Sequence, residues 1–243
     1  MKIIRHIPDT ITSMNLLCGA VGVICAFEGR LESAFYLMIA AAVFDFLDGF
    51  AARALGAHTD IGKELDSLSD MVSFGLLPAI MLHRLMVETG NASAWSYIPL
   101  AIAVFSALRL AKFNIDDSQK DNFIGLATPA CAMLCGALVH YICKTPDSFL
   151  APWAGTRLFI PVLSLILCAL LVSRIPMFSL KFKAGQKDSI VYKLRIGFIG
   201  FCVAVTIAIF LFGLQFSMIF IVSVTGYIIM NISNFISTLT ARK

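Results

Sequence analysis

The chain has 243 residues, of which 59% are hydrophobic and 14% charged, and its mean hydropathy is +0.87. That balance excludes an ordinary water-soluble domain, in which about 25% of residues are charged. A formal net charge of +4 is too small to draw a polyanion, so it gives no support to nucleic-acid binding.

Apolar stretches long enough to cross a bilayer recur at 11–27, 31–53, 64–86, 95–113, 124–144, 157–173, 194–213 and 215–238. They predict about eight transmembrane helices. The runs are continuous rather than alternating, which argues for an all-α polytopic membrane bundle and against a β-barrel. Residues 1–243 read as one membrane domain, with a six-helix core at about 7–175 and two further helices at about 194–238. Residues 7–15, leading into the first run, predict an interfacial segment turning into a helix, since Pro8 is accommodated in a first turn. Thr12 and Asn15 share a face there. In isolation they are better explained by helix capping or local backbone bonds. The polar Thr12, Ser13 and Asn15, and the lack of a small-residue cleavage site, distinguish this start from a removed signal peptide.

The second and third runs carry the residues that demand chemistry. Asp45 and Asp48 sit near the end of one, and Asp66 and Asp70 near the start of the next. At spacings i, i+3 and i, i+4 each pair projects from a single helix face, and a short turn between the helices brings the four together. Counting back from Arg53 at about 1.5 Å per residue puts Asp45 roughly 12 Å inside its helix, below the headgroups. An aspartate near the bilayer centre costs about 2.5–3.5 kcal/mol on insertion scales, and carboxylates in contact oppose one another's ionisation. Bound divalent cations remove both penalties, and an oxygen-only ligand set favours Mg²⁺ or Mn²⁺, ions that share their shell with substrate phosphates. The plainer alternative is that the acids are helix-end charges, or pair with Arg53 and Lys63.

Arg109 closes the apolar run from Trp95 to Leu108, and the default for a basic residue at a helix end is to snorkel to lipid phosphate. Lys181, Lys183, Lys187, Lys193 and Arg195 read as a surface patch for anionic headgroups. Cys18, Cys25, Cys131, Cys135, Cys143, Cys168 and Cys202 are scattered through the apolar runs as small hydrophobes. None of His6, His58, His83 or His140 has metal-ligand spacing. With the amino terminus in the cytosol, only Arg30, Arg84, Lys144 and Arg157 of the 19 Lys and Arg fall on the far side. The positive-inside bias thus places both termini and the Asp45–Asp70 turn in the cytosol.

The pattern Asp48-Gly49-x2-Ala52-Arg53-x8-Gly62-x3-Asp66-x3-Asp70, with Asp45 three residues upstream, resembles the signature of the CDP-alcohol phosphatidyltransferase family at every fixed position. Thr12-x-x-Asn15 after a proline is similar to that family's amino-terminal motif. The stretches 73–79, Arg109-Leu110-Ala111-Lys112-Phe113-Asn114, 123–130 and Ser173-Arg174-Ile175-Pro176 look like its phosphatidylserine synthase branch, with Lys112 where that branch has a second arginine.

The resemblance implies an enzyme of the cytoplasmic membrane, its site facing the cytosol, that moves a phosphatidyl group from CDP-diacylglycerol to L-serine and releases CMP. It implies two Mg²⁺ or Mn²⁺ ions on Asp45, Asp48, Asp66 and Asp70, with Asp70 also the general base. It places Thr12, Asn15, Gly49, Ala52, Arg53 and Gly62 by the nucleotide and its pyrophosphate, Arg109 by the serine carboxylate, and the protein as a homodimer among membrane lipids. Glycerol phosphate or inositol phosphate as acceptor would call for a tighter basic cluster, while an ether-lipid donor would leave the same motif. An ion-coupled transporter would be expected to repeat its acidic pattern in a second half.

Overall fold

The computed structural model describes residues 6–57, 59–115, 123–178 and 190–240. Among these, eight long helices follow in order: α1 (Ile7–Phe27), α2 (Leu31–Leu55), α3 (Asp60–Glu88), α4 (Ala94–Ile115), α5 (Thr128–Lys144), α6 (Phe159–Val172), α7 (Ile190–Leu211) and α8 (Ser217–Thr240). Six of them are long and apolar enough to cross a membrane, which makes this a multi-pass helical membrane protein. The other two, α5 and α6, are shorter, at 17 and 14 residues. Burial explains α5. Twelve of its residues are buried, because it threads the middle of the bundle against α2, α3 and α8. A helix walled by protein has no need to match the hydrocarbon thickness.

Among the described residues, the one departure from helix is a two-residue antiparallel pairing of β1 (Phe123–Ile124) with β2 (Pro176–Met177). It takes up Ile124, which hydropathy alone assigns to helix. Gly125, at φ 77°, turns the chain out of β1, so α5 begins at Thr128 rather than at 124.

The buried face of α1 includes Pro8, Thr12, Asn15, Gly19 and Gly22, recurring every three or four residues. A Cβ at Gly19 would lie 2.2 Å from the Ser73 hydroxyl, so glycine is what lets α1 and α3 approach, as small residues do between membrane helices. Directly after Asp70, α3 widens into a π-helical segment, Met71–Leu76, before resuming as Leu77–Glu88. Widened turns of this kind are rare and gather at functional sites. At the opposite end of the bundle, Lys144 pairs with Glu32 at 2.6 Å and Arg84 with Glu88 at 3.3 Å. Partly exposed pairs like these contribute little stability. Helix α7 packs on α8, and α8 on α5.

Candidate active site

The turn between α2 and α3 sets the site. Gly56 takes the left-handed conformation at φ 58° and, with Ala57, bonds back to Arg53 and Ala52, which closes α2. Thr59 then opens α3, its Oγ1 accepting the Gly62 N–H at 2.9 Å. A Cβ on Gly62 would meet that hydroxyl at 2.8 Å and the Asp9 carboxylate at 2.9 Å.

This connection brings Asp45, Asp48 and Asp66 together, with one carboxylate oxygen of each within 4.8 Å of the others. Asp48 is 6% exposed. Asp48 Oδ2 and Asp66 Oδ1 are buried with no hydrogen-bond partner among the described residues. Orphaned carboxylate oxygens in a low-dielectric setting are costly unless a proton or a cation neutralises them. Neither Arg53 nor Lys63 supplies the cation, for no ion pair joins them to these acids among the described residues. Lys63 instead donates to the Asn114 carbonyl at 2.8 Å. The pairing alternative therefore fails, and an all-oxygen, partly orphaned set fits a hard divalent ion.

Asp70 stands apart from that trio, one turn further along α3. Its Oδ1 accepts from Asn15 Nδ2 at 3.4 Å. The Ser69 and Ser73 hydroxyls donate to the Thr12 and Asn15 carbonyls at 3.3 and 3.0 Å, locking α1 against this stretch of α3. Three of the four acids thus converge, and the fourth lines the same cavity.

Two cavities adjoin the acids, and a third meets the second at Arg109. The first, about 210 Å³, is lined by Thr12, Gly49, Ala52, Arg53 and Gly62 together with Asp48 and Asp66. It gathers five of the six residues that the resemblance assigns to the nucleotide. Asn15, the sixth, is wholly buried behind the acids and touches Asp70. The second cavity, about 380 Å³, is lined by all four acids, Phe46, Arg109 and Asn114. Arg109 also lines a third, about 430 Å³, with Lys112, Ser173 and Arg174.

Snorkelling does not describe Arg109. The residue is 8% exposed, and its Nη1 donates to Thr128 Oγ1 at 3.0 Å. The first residue of α5 covers it, a contact that hydropathy along α4 could not reveal. Sequence reasoning also missed Lys63, Asn114 and Arg174 as wall residues and Thr128 as the partner of Arg109, although Asn114, Thr128 and Arg174 lie in motifs that the resemblance singled out. Of the expected headgroup patch, Lys181, Lys183 and Lys187 lie outside the described residues. The cysteines described are free, and no group of them forms a metal cluster among the described residues.

Fold and site define a class: a multi-pass helical membrane protein with a cluster of three aspartates, set between cavities, that could hold a metal ion. The chain belongs to the CDP-alcohol phosphatidyltransferase family, a metal-dependent family whose profile matches residues 5–169. It is 35% identical over 182 residues to the CDP-diacylglycerol–serine O-phosphatidyltransferase of Mycobacterium leprae (strain TN), covering 72% of this chain and 58% of that protein. It is 35% identical over 133 residues to the protein of the same name from Bacillus subtilis (strain 168), covering 53% of this chain and 72% of the relative. Against the archaetidylserine synthase of Methanothermobacter thermautotrophicus the identity is 36% over 134 residues, 52% of this chain and 54% of that protein. The chain thus spans little more than half the length of the first and third of these relatives.

Proposed function

We propose that the protein transfers the phosphatidyl group of CDP-diacylglycerol to L-serine, forming phosphatidylserine and CMP. The observation that carries this reading is the trio Asp45, Asp48 and Asp66, held within 4.8 Å between a cavity lined by the signature residues and one lined by Arg109. The names of the relatives supply serine as the acceptor.

The CDP moiety enters the first cavity. Gly49 and Gly62 let it approach the backbone closely, and Arg53 reaches its pyrophosphate. Asp45, Asp48, Asp66 and Asp70 would hold two Mg²⁺ or Mn²⁺ ions, which when bound neutralise the pyrophosphate and the charge that develops on the leaving CMP oxygen. Asp70, oriented by Asn15, takes the proton of the serine hydroxyl. The serine oxygen then bonds to the lipid-linked phosphorus as the pyrophosphate bridge breaks toward CMP. Arg109 stands at the junction of the second and third cavities, where it reads the serine carboxylate. The acyl tails stay in lipid. Following the basic-residue bias, the site opens to the cytosol from the cytoplasmic membrane, and the protein works as a homodimer built on the six-helix core. The archaetidylserine synthase relative supports an ether-linked donor as the second reading.

The test is CMP release by purified protein given CDP-diacylglycerol, or its ether-linked counterpart, with serine, glycerol 3-phosphate or inositol phosphate as acceptor. Turnover with serine alone is expected. Turnover with a phosphorylated acceptor and none with serine would overturn the assignment.

A further inference from the structure

Helices α7 and α8 lie beyond the family match, which ends at residue 169, yet α8 grips a wall of the third cavity. Ser173 and Arg174 line that cavity, and the chain runs on through β2 to Phe178. Both backbone groups of Phe178 are taken by α8. Its N–H donates to Asn231 Oδ1 at 3.0 Å, and its carbonyl accepts from the Tyr227 hydroxyl at 2.8 Å. Asn231 is 1% exposed, and its Nδ2 donates to the Tyr227 carbonyl at 2.8 Å, which fixes the amide's orientation. The Phe178 ring packs edge-on against Tyr227 at 5.1 Å and against Phe198 of α7 at 5.8 Å.

On its other flank the chain is joined by backbone bonds. Gly125 N–H donates to the Ile175 carbonyl at 3.0 Å and Leu126 N–H to the Leu170 carbonyl at 2.9 Å. A Cβ on Gly125 would lie 2.6 Å from the Leu171 carbonyl, so the two stretches meet backbone to backbone. Arg174 is exposed, and no ion pair among the described residues sets its guanidinium. Its placement is therefore inherited from the segment that carries it. Polar side chains in a membrane helix are costly unless they make such bonds, and α8 aims the buried Asn231 and the partly buried Tyr227 at one residue, four positions past Arg174.

We propose that Tyr227 and Asn231 are positioning residues, which hold the Ser173–Phe178 segment so that Arg174 completes an anion-binding wall opposite Arg109 for the acceptor's carboxylate. This rests on the reading of that cavity as the serine site. Neither residue touches substrate. They act through the backbone of Phe178, and the family core would take its acceptor specificity partly from a helix outside it.

The experiment uses full-length purified protein and four variants. Tyr227→Phe removes one hydroxyl and keeps the ring packing, and Asn231→Ala removes the amide. Each is expected to raise the KM for L-serine about three- to tenfold, the equilibrium worth of one hydrogen bond. The kcat and the KM for CDP-diacylglycerol are expected to stay at their wild-type values, and hydrogen exchange at the Phe178 amide to accelerate. An unchanged serine KM in Tyr227→Phe overturns the positioning role, as does a fall in kcat and donor affinity alongside serine affinity. Arg109→Ala and Arg174→Ala separate the two levels. If they raise the serine KM while the α8 variants do not, only the positioning role fails. If they too leave it unchanged, the serine assignment of the cavity fails and the positioning role falls with it.

Discussion

Replacing Arg109 by alanine isolates how the acceptor is chosen. A site that must separate serine from ethanolamine or glycerol has to read the carboxylate, and a guanidinium does so with two parallel hydrogen bonds. Arg109 is 8% exposed and already anchored by Thr128 at 3.0 Å, so it meets an incoming carboxylate with little water between them and little freedom left to lose. Removing a charge-assisted hydrogen bond costs about 1.5–3 kcal/mol, which corresponds to roughly a 10- to 150-fold rise in the serine KM. Serine saturation curves for Arg109→Ala and wild type, followed by CMP release at saturating CDP-diacylglycerol, measure it directly. Arg109→Lys is expected to fall between the two, because it keeps the charge and loses the fork. The donor KM of the alanine variant serves as the folding control. A serine KM equal to wild type would refute the reasoning and remove Arg109 from the acceptor site.

Asp48→Asn and Asp66→Asn should each abolish CMP release in a protein that still elutes as folded, and EDTA should do the same to wild type; full turnover in either condition would contradict a divalent centre. Asp70→Asn should retain CDP-diacylglycerol binding and lose turnover, since the base acts on the acceptor; loss of donor binding along with rate would make Asp70 chiefly a metal ligand. Gly19→Ala puts a Cβ 2.2 Å from Ser73 Oγ and 2.9 Å from its Cα. Because a backbone atom is in the way, the helices must part, at a cost of about 1–3 kcal/mol. A lower Tm in detergent is expected, whereas Gly197→Ala, which meets nothing within 4 Å, should leave Tm unchanged.

Much of this architecture is written locally. Asp45 and Asp48, and then Asp66 and Asp70, announce themselves by spacing. The first cavity gathers residues that a linear signature already names. What the sequence conceals depends on contacts between distant segments. Asp70 shares a helix face with Asp66 on an ideal wheel, yet its carboxylate turns toward Asn15, 55 residues earlier. Arg109 reads as a helix-end cation until Thr128, 19 residues later, closes over it. Helix α5 starts four residues later than hydropathy suggests, because Gly125 and the pairing with Pro176–Met177 claim the preceding chain. No periodicity along α8 tells Asn231 that its partner is the amide of Phe178.

The π-helical stretch Met71–Leu76 makes the third helix sensitive to residue number as well as residue type. Its wider winding sets a phase offset between the half that carries Asp66 and Asp70 and the half from Leu77 to Glu88, whose Leu77, Ala79, Met81 and Leu82 are wholly enclosed. Deleting a single residue from the stretch would let it relax to ordinary α geometry with the two halves still in phase, because the wide turn takes up one residue more than α winding does over the same sweep. Inserting a further residue between Asp70 and Leu77 would instead turn one half against the other by about 100°, the angle of one α-helical residue. The enclosed half has no room to turn, so the acid-bearing half would do so. An insertion of one apolar residue, conservative by composition, would then swing two carboxylates off the cavity without altering any of them.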